Sequence, residues 1–175
     1  MRLVVLLILA LSVMPARAEG HDHHGTAGCD QYPWDMNREW SLMITDPFPM
    51  QSVVAMDVES RYVPLDRRVQ FALHPSAKVK LAVTPRKTPA ATTFAGMGLI
   101  RLPYGKKYRI STREAVWIDV AGPAGLVPAT KTAMLGGCER LVKTVIFPLE
   151  SETDYWLQIT GSANSVITLL ITLDR

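Results

Sequence analysis

The chain has 175 residues, 48 % of them hydrophobic and 20 % charged, and a formal net charge of +3. That length suits one domain with a core of its own. Removing Arg2 and Arg17 with an N-terminal leader leaves 17 basic against 16 acidic residues, a balance that argues against nucleic acid as the partner.

Residues 1–18 read as a secretory signal peptide. Met1-Arg2 precedes the apolar run LVVLLILALSV, and Pro15 and the small-residue pattern Ala16-Arg17-Ala18 follow it, so cleavage is expected after Ala18. The run is shorter than the roughly 20 apolar residues of a spanning helix, and no second long run exists, so no retained membrane span is expected. The expected location is periplasmic or extracellular. Lipid attachment at Cys29 is disfavoured, because Pro15 to Gly25 separates that cysteine from the apolar run.

Residues 19–28 are polar and histidine-rich and are expected to form a flexible lead-in. Cleavage after Ala18 would make Glu19-Gly20-His21 the new start. Its amine, the amide nitrogens of Gly20 and His21, and the His21 imidazole supply four nitrogens in a plane, which Cu(II) and Ni(II) favour. His23 and His24 are near enough to add ligands. Copper or nickel is therefore the candidate cofactor.

Residues 29–175 are expected to form a single domain. Met36, Trp40, Met43 and Ile44 fall at the spacing of one helix face, with Pro33 before them and Pro47 beyond, which predicts a short N-terminal amphipathic helix. In an oxidising compartment Cys29 and Cys138 are expected to pair and so tether that helix; a reactive thiol or a metal ligand is the alternative.

From Val53 onward the apolar period changes to two. VQFAL (69–73), KVKLAVT (78–84), YRISTR (108–113), AVWIDV (115–120), LVKTVIFPL (141–149), DYWLQIT (154–160) and VITLLITL (166–173) read as strands. Turn residues separate them, including PYGKK (103–107), AGPAG (121–125) and GSANS (161–165). The expected fold is mainly β, an antiparallel sandwich or jelly-roll-like body with one short helix. LIRLPYGKKYRIS (99–111) and TVIFPLESETDYWLQIT (144–160) echo one another, as two hairpins solving one packing problem would.

Charge is unevenly distributed. Residues 19–60 hold eight acids against Arg38 alone, whereas 61–113 hold twelve bases against Asp66 alone. The basic block fits a polyanion-binding face. The simpler expectation is a solvated sheet face, with Lys78 and Lys80, or Lys107 and Arg109, at alternate outward positions, neutralised by the acidic N-terminal part.

No catalytic residue is assigned. His74 is the only histidine beyond the lead-in and, beside Pro75, reads as a turn or strand-end residue. There is no GxSxG, HExxH, CxxC or phosphate loop, and Gly96-Met97-Gly98 lacks a third glycine and a following helix. Glu150, Glu152 and Asp154 cluster in a polar turn where acids are solvated. Trp117 and Trp156 alternate with core-type residues, so both indoles would stand on an outer sheet face. There they either stack on sugar rings or lie beneath the helix or an adjoining loop.

CDQYPWDMNREWSLM, AGMGLIRLP, WIDV, GCERLVKTVIFPL and LQITGS resemble segments of a family of small exported bacterial proteins without established activity. The resemblance runs from about Cys29 to Leu173. It implies the Cys29 and Cys138 pair and the Trp117-Ile118-Asp119-Val120 strand as family features. Some relatives carry the name homogentisate 1,2-dioxygenase, which implies a much larger cupin enzyme with iron held by two histidines and a glutamate. His74 has no histidine companion in residues 29–175, so that activity does not carry over. The expected function is noncatalytic binding or structural work, with a small ligand, a glycan or a protein as partner. A carbohydrate-binding module and an enzyme, a hydrolase or that dioxygenase, are the alternatives.

Overall fold

The computed structural model describes residues 28–56 and 59–175. One helix, α1 (Asn37–Met43), precedes eleven strands. They are β1 (Phe48–Gln51), β2 (Val69–Ala72), β3 (His74–Pro75), β4 (Phe94–Ile100), β5 (Lys106–Thr112), β6 (Trp117–Gly122), β7 (Gly125–Leu126), β8 (Lys131–Met134), β9 (Lys143–Leu149), β10 (Tyr155–Ser162) and β11 (Val166–Leu173). The first sheet runs β1-β2-β11-β5-β9-β8 and the second β3-β4-β10-β6-β7. Among these strands only β1 and β2 pair in parallel; the other strand pairs are antiparallel, and one isolated bridge, Tyr62 to Leu99 of β4, is parallel. Among the described residues no helix is long and apolar enough to cross a membrane.

The period of two is what closes the sandwich. Phe71, Leu169, Ile110, Val145 and Phe147 from the first sheet meet Ile100, Ile118, Val120, Leu157 and Ile159 from the second in one buried cluster. Burying a side chain of this size stabilises a fold by about 1.5–3 kcal/mol. At β4 the sheets come too close for side chains. A Cβ on Gly98 would lie 2.7 Å from Val63 and 3.2 Å from Phe71, which accounts for the Gly-Met-Gly run.

Both outer faces are roofed as well. Over the first sheet lies α1 with the segment before it, where Met36, Met43 and Tyr32 join Leu141 and Leu170 in a second buried cluster. The Cys29–Cys138 disulfide closes this roof. Beneath it Glu39, 1 % exposed, accepts hydrogen bonds from Thr172 and Arg109, and Arg109 also reaches Asp174 at 2.8 Å. A strap of residues 79–93 covers the second sheet.

Several expectations need correction. KVKLAVT is not a strand: a 3₁₀ turn at Ser76–Lys78 leads into the strap, whose backbone finds side chains instead of a neighbouring ladder. Arg109 is not solvated, because it lies beneath α1 at 6 % exposure with its charge met by Glu39 and Asp174; Lys107 is exposed. Ile44 leaves the helix face and is 86 % exposed, one residue past the last turn. The two echoing segments are not hairpins. Each carries the chain from one sheet to the other, β4 to β5 and β9 to β10. Their likeness has a local cause: each turn is closed by a buried tyrosine hydroxyl. Tyr108 donates to Tyr104 O at 3.1 Å, and Tyr155 accepts from Glu150 N at 2.9 Å.

The disulfide closes a loop with a sequence separation of 109, which in the chain-entropy model contributes about 4–5 kcal/mol. Replacing both cysteines by serine is expected to lower unfolding stability by an amount of that order, read as a fall in the urea midpoint with a steeper slope, because the unlinked denatured chain exposes more surface.

Candidate ligand cleft

Because Ile118, Val120, Leu157 and Ile159 face the core, Trp117, Asp119, Trp156, Gln158 and Thr160 must face outward. Register sets them in rows. Met97, Gln158 and Asp119 lie side by side across β4, β10 and β6, and Thr160 lies beside Trp117 two residues further along.

The middle row pins the strap. Ala82 N donates to Met97 Sδ at 3.2 Å. Val83 N donates to Gln158 Oε1 at 2.9 Å while Gln158 Nε2 donates back to Val83 O at 3.3 Å. Arg86 N reaches Asp119 Oδ2 at 3.4 Å, and its guanidinium lies 3.5 Å from Oδ1 and donates to Val127 O at 3.0 Å. A primary amide offers one donor and one acceptor in the manner of a peptide group, so Gln158 stands in for the strand that the strap does not form.

Beyond these pins a cleft of about 350 Å³ opens between the strap and the Thr160–Trp117 row, walled by Lys87, Pro89, Ala90, Val116 and Lys143. Lys143 begins β9 on the core-facing side, in register with Val145 and Phe147, yet it is a lysine at 7 % exposure. Its ammonium donates to Val116 O at 2.8 Å and lies 4.7 Å from the centre of the Trp117 ring. Burial pushes its pKa below 10.5; Asp119 opposes that and Lys87 adds to it. Asp119 is shifted the other way: burial raises its pKa, against the Arg86 amide and charge, the Trp117 indole and Lys143.

Two buried polar atoms at this cleft, Trp117 Nε1 and Thr160 Oγ1, have no hydrogen-bond partner. The indole N–H favours the charged Asp119 but falls outside hydrogen-bond geometry. Nor does any carboxylate form an ion pair with Lys143 among the described residues, since Asp119 is taken by Arg86. Buried groups of this kind are normally satisfied, so two orphaned donors beside an ammonium that has a hydrogen bond but no ion pair make this cleft the candidate site.

The two indoles do not share a platform. Trp156 lies opposite Ala121 and Trp117 opposite Thr160, four residues apart along β10, or about 13 Å at the usual strand rise. Glu19, Gly20, His21, His23 and His24 lie outside the described residues. Cys29 and Cys138 sit over the other sheet, away from the cleft. Among the described residues no three His, Cys, Asp or Glu side chains gather as a metal cluster.

A second hollow, about 460 Å³, adjoins β1 and includes His74 and Glu59. There His74 Nε2 lies 3.0 Å from Ser52 O, not from its hydroxyl, which packs where a Cβ on Gly96 would fall. That contact is structural and forms no nucleophile-base pair. Asp154 likewise meets Arg101 at 2.7 Å and Tyr62 at 3.0 Å, which ties it to cation and phenol, not to a facing carboxylate.

What fold and site define is a β-sandwich roofed on both sides, with a donor-lined cleft under one roof. No family model, curated protein or solved structure matches the chain.

Lysine 143 was not legible as a site residue, yet a signal existed: in Lys143-Thr144-Val145-Ile146-Phe147 the lysine holds the core-facing phase. Its lowered pKa gives a pH signature. Between the folded value and 10.5 the unfolded chain binds more protons than the folded one, so stability rises with pH across that window. Lys143→Met is expected to lose this part of the alkaline rise, seen by comparing urea midpoints of the two proteins at stepped pH from neutral upward.

Proposed function

We propose that the chain is an exported, noncatalytic binding protein that holds a small organic ligand in the cleft beneath the strap. The observation that carries this reading is the buried Lys143 ammonium, without a counter-charge in contact, beside the unpartnered Trp117 Nε1 and Thr160 Oγ1. These groups donate hydrogen bonds, and apolar surface from Pro89, Ala90 and Val116 completes the wall. Such a mixture suits holding a molecule. Asp119, the nearest proton acceptor, is already engaged by Arg86.

The sugar-stacking alternative is weaker at Trp117, because the Lys143 ammonium already occupies space over its ring. Calorimetric titration of the mature protein with small acids, neutral amides and amines tests the binding reading. At least one class is expected to bind, and Thr160→Val is expected to weaken it about tenfold, the worth of one hydrogen bond of about 1.4 kcal/mol. Failure of all three classes to bind would sink the reading.

Export would add a second, independent site. If cleavage follows Ala18, the Glu19-Gly20-His21 start supplies the planar nitrogen set for Cu(II) or Ni(II). Copper titration of the mature protein beside His21→Ala is expected to show much weaker binding in the variant; equal affinity dismisses the site.

A further inference from the structure

We infer that the cleft selects a small organic carboxylate, a monoanion with a compact apolar body, and that Lys143 is its charge partner. This rests on the binding reading above and narrows it to one chemical class.

An ammonium has three protons to donate. Val116 O takes one at 2.8 Å, and the Trp117 ring lies 4.7 Å to one side. No other protein acceptor bonds Lys143 among the described residues. The charge itself has no carboxylate in ion-pair range at 7 % exposure, and Asp119, which favours it from further off, is paired with Arg86. Removing a charge from water without a counter-charge is unfavourable, and a bound anion would offset that penalty.

Lys87 sharpens the argument from the opposite wall. It is an exposed residue of the strap, and its charge adds to burial in disfavouring the ammonium of Lys143, against the Asp119 carboxylate that favours it. Two like charges facing one cleft repel until an anion lies between them. Trp117 N–H and Thr160 O–H, neighbours across the β6–β10 register, then supply donors to the same anion. A carboxylate has room for all of them, with two oxygens and about four acceptor sites. Pro89, Ala90 and Val116 ask for an apolar body behind it, and the space of about 350 Å³ exceeds what a bare inorganic ion fills.

The test is calorimetric titration of the mature protein with sodium benzoate, benzamide and inorganic phosphate, with the Trp117 indole N–H followed by NMR and assigned through Trp117→Phe. Benzoate is expected to bind at least about tenfold more tightly than benzamide or phosphate and to move the indole proton downfield. Lys143→Met is expected to erase the preference for benzoate over benzamide. Lys87→Gln, on the exposed strap, is expected to weaken benzoate several-fold more than it weakens benzamide. Benzamide binding as tightly as benzoate overturns the inference and leaves the binding cleft standing. Phosphate binding more tightly than benzoate overturns the organic carboxylate. An indole proton unmoved by all three probes, without heat of binding, overturns the inference together with the cleft.

Discussion

Alternation along β6 and β10 is the constraint from which the rest follows. Ile118 and Val120 on one strand, and Tyr155, Leu157 and Ile159 on the other, are drawn into the core. A one-residue slip would invert every side chain, so burial of the apolar set dictates where the polar set stands. Trp117, Asp119, Gln158 and Thr160 are thereby lined up on one face without any interaction of their own to place them there. The face includes the apolar surface of Met97 and Trp117, which favours covering, and Gln158 and Asp119 regain hydrogen bonds from the strap that covers them. Its covering strap creates the cleft.

The two roofs use different physics. Over the first sheet a helix satisfies its own backbone, so the contact is side chain to side chain: Met36 and Met43 pack on Leu170, and a buried Glu39–Arg109 pair sits among them. A pair of that kind adds little net stability but is costly to break, since the survivor keeps its charge without its partner. Over the second sheet the strap has no helix and no ladder. Its polar backbone is met by Met97, Gln158 and Asp119 in turn. Such a roof is held at points, and between the last point and Thr93 it stands off the sheet far enough to leave room for a ligand.

Much of the architecture was legible because apolar spacing carries it. VQFAL, LVKTVIFPL and VITLLITL each contain an observed strand, YRISTR, AVWIDV and DYWLQIT each overlap one by four residues or more, and Met36, Trp40 and Met43 mark the helix. KVKLAVT shows why the same signal fails elsewhere. Its alternation is real, and Leu81 and Val83 are half-buried, but a strand is defined by a ladder of backbone partners, and here, beyond the single bond from Lys80 N to Val54 O, the partners are side chains that no local pattern reveals. β4 was obscured by glycines that let neighbours approach, Ser52 at Gly96 and Val63 and Phe71 at Gly98. β3 and β7, two residues each, are too short to show a period at all. The cleft was illegible for a stronger reason. Lys87, Trp117, Lys143 and Thr160 come from four separate segments, and only the outward phase of Trp117 was readable in advance.

The charge blocks gain a meaning in three dimensions. The acidic N-terminal block folds onto the basic block through α1, where Glu39 meets Arg109. Even the two exceptions find one another: Arg38, the sole base of its block, pairs with Asp66, the sole acid of the other, at 2.7 Å. That exposed pair is worth little in stability, but it shows how closely the blocks complement each other beneath the helix. The second sheet has no acidic block laid upon it. Asp119 neutralises Arg86 there, while Lys87 and Lys143 are left over on either side of the cleft. Among the described residues, the two lysines without an ion pair at this cleft thus lie beside buried donors that also lack a partner, and that coincidence is the ground on which an anionic ligand is proposed.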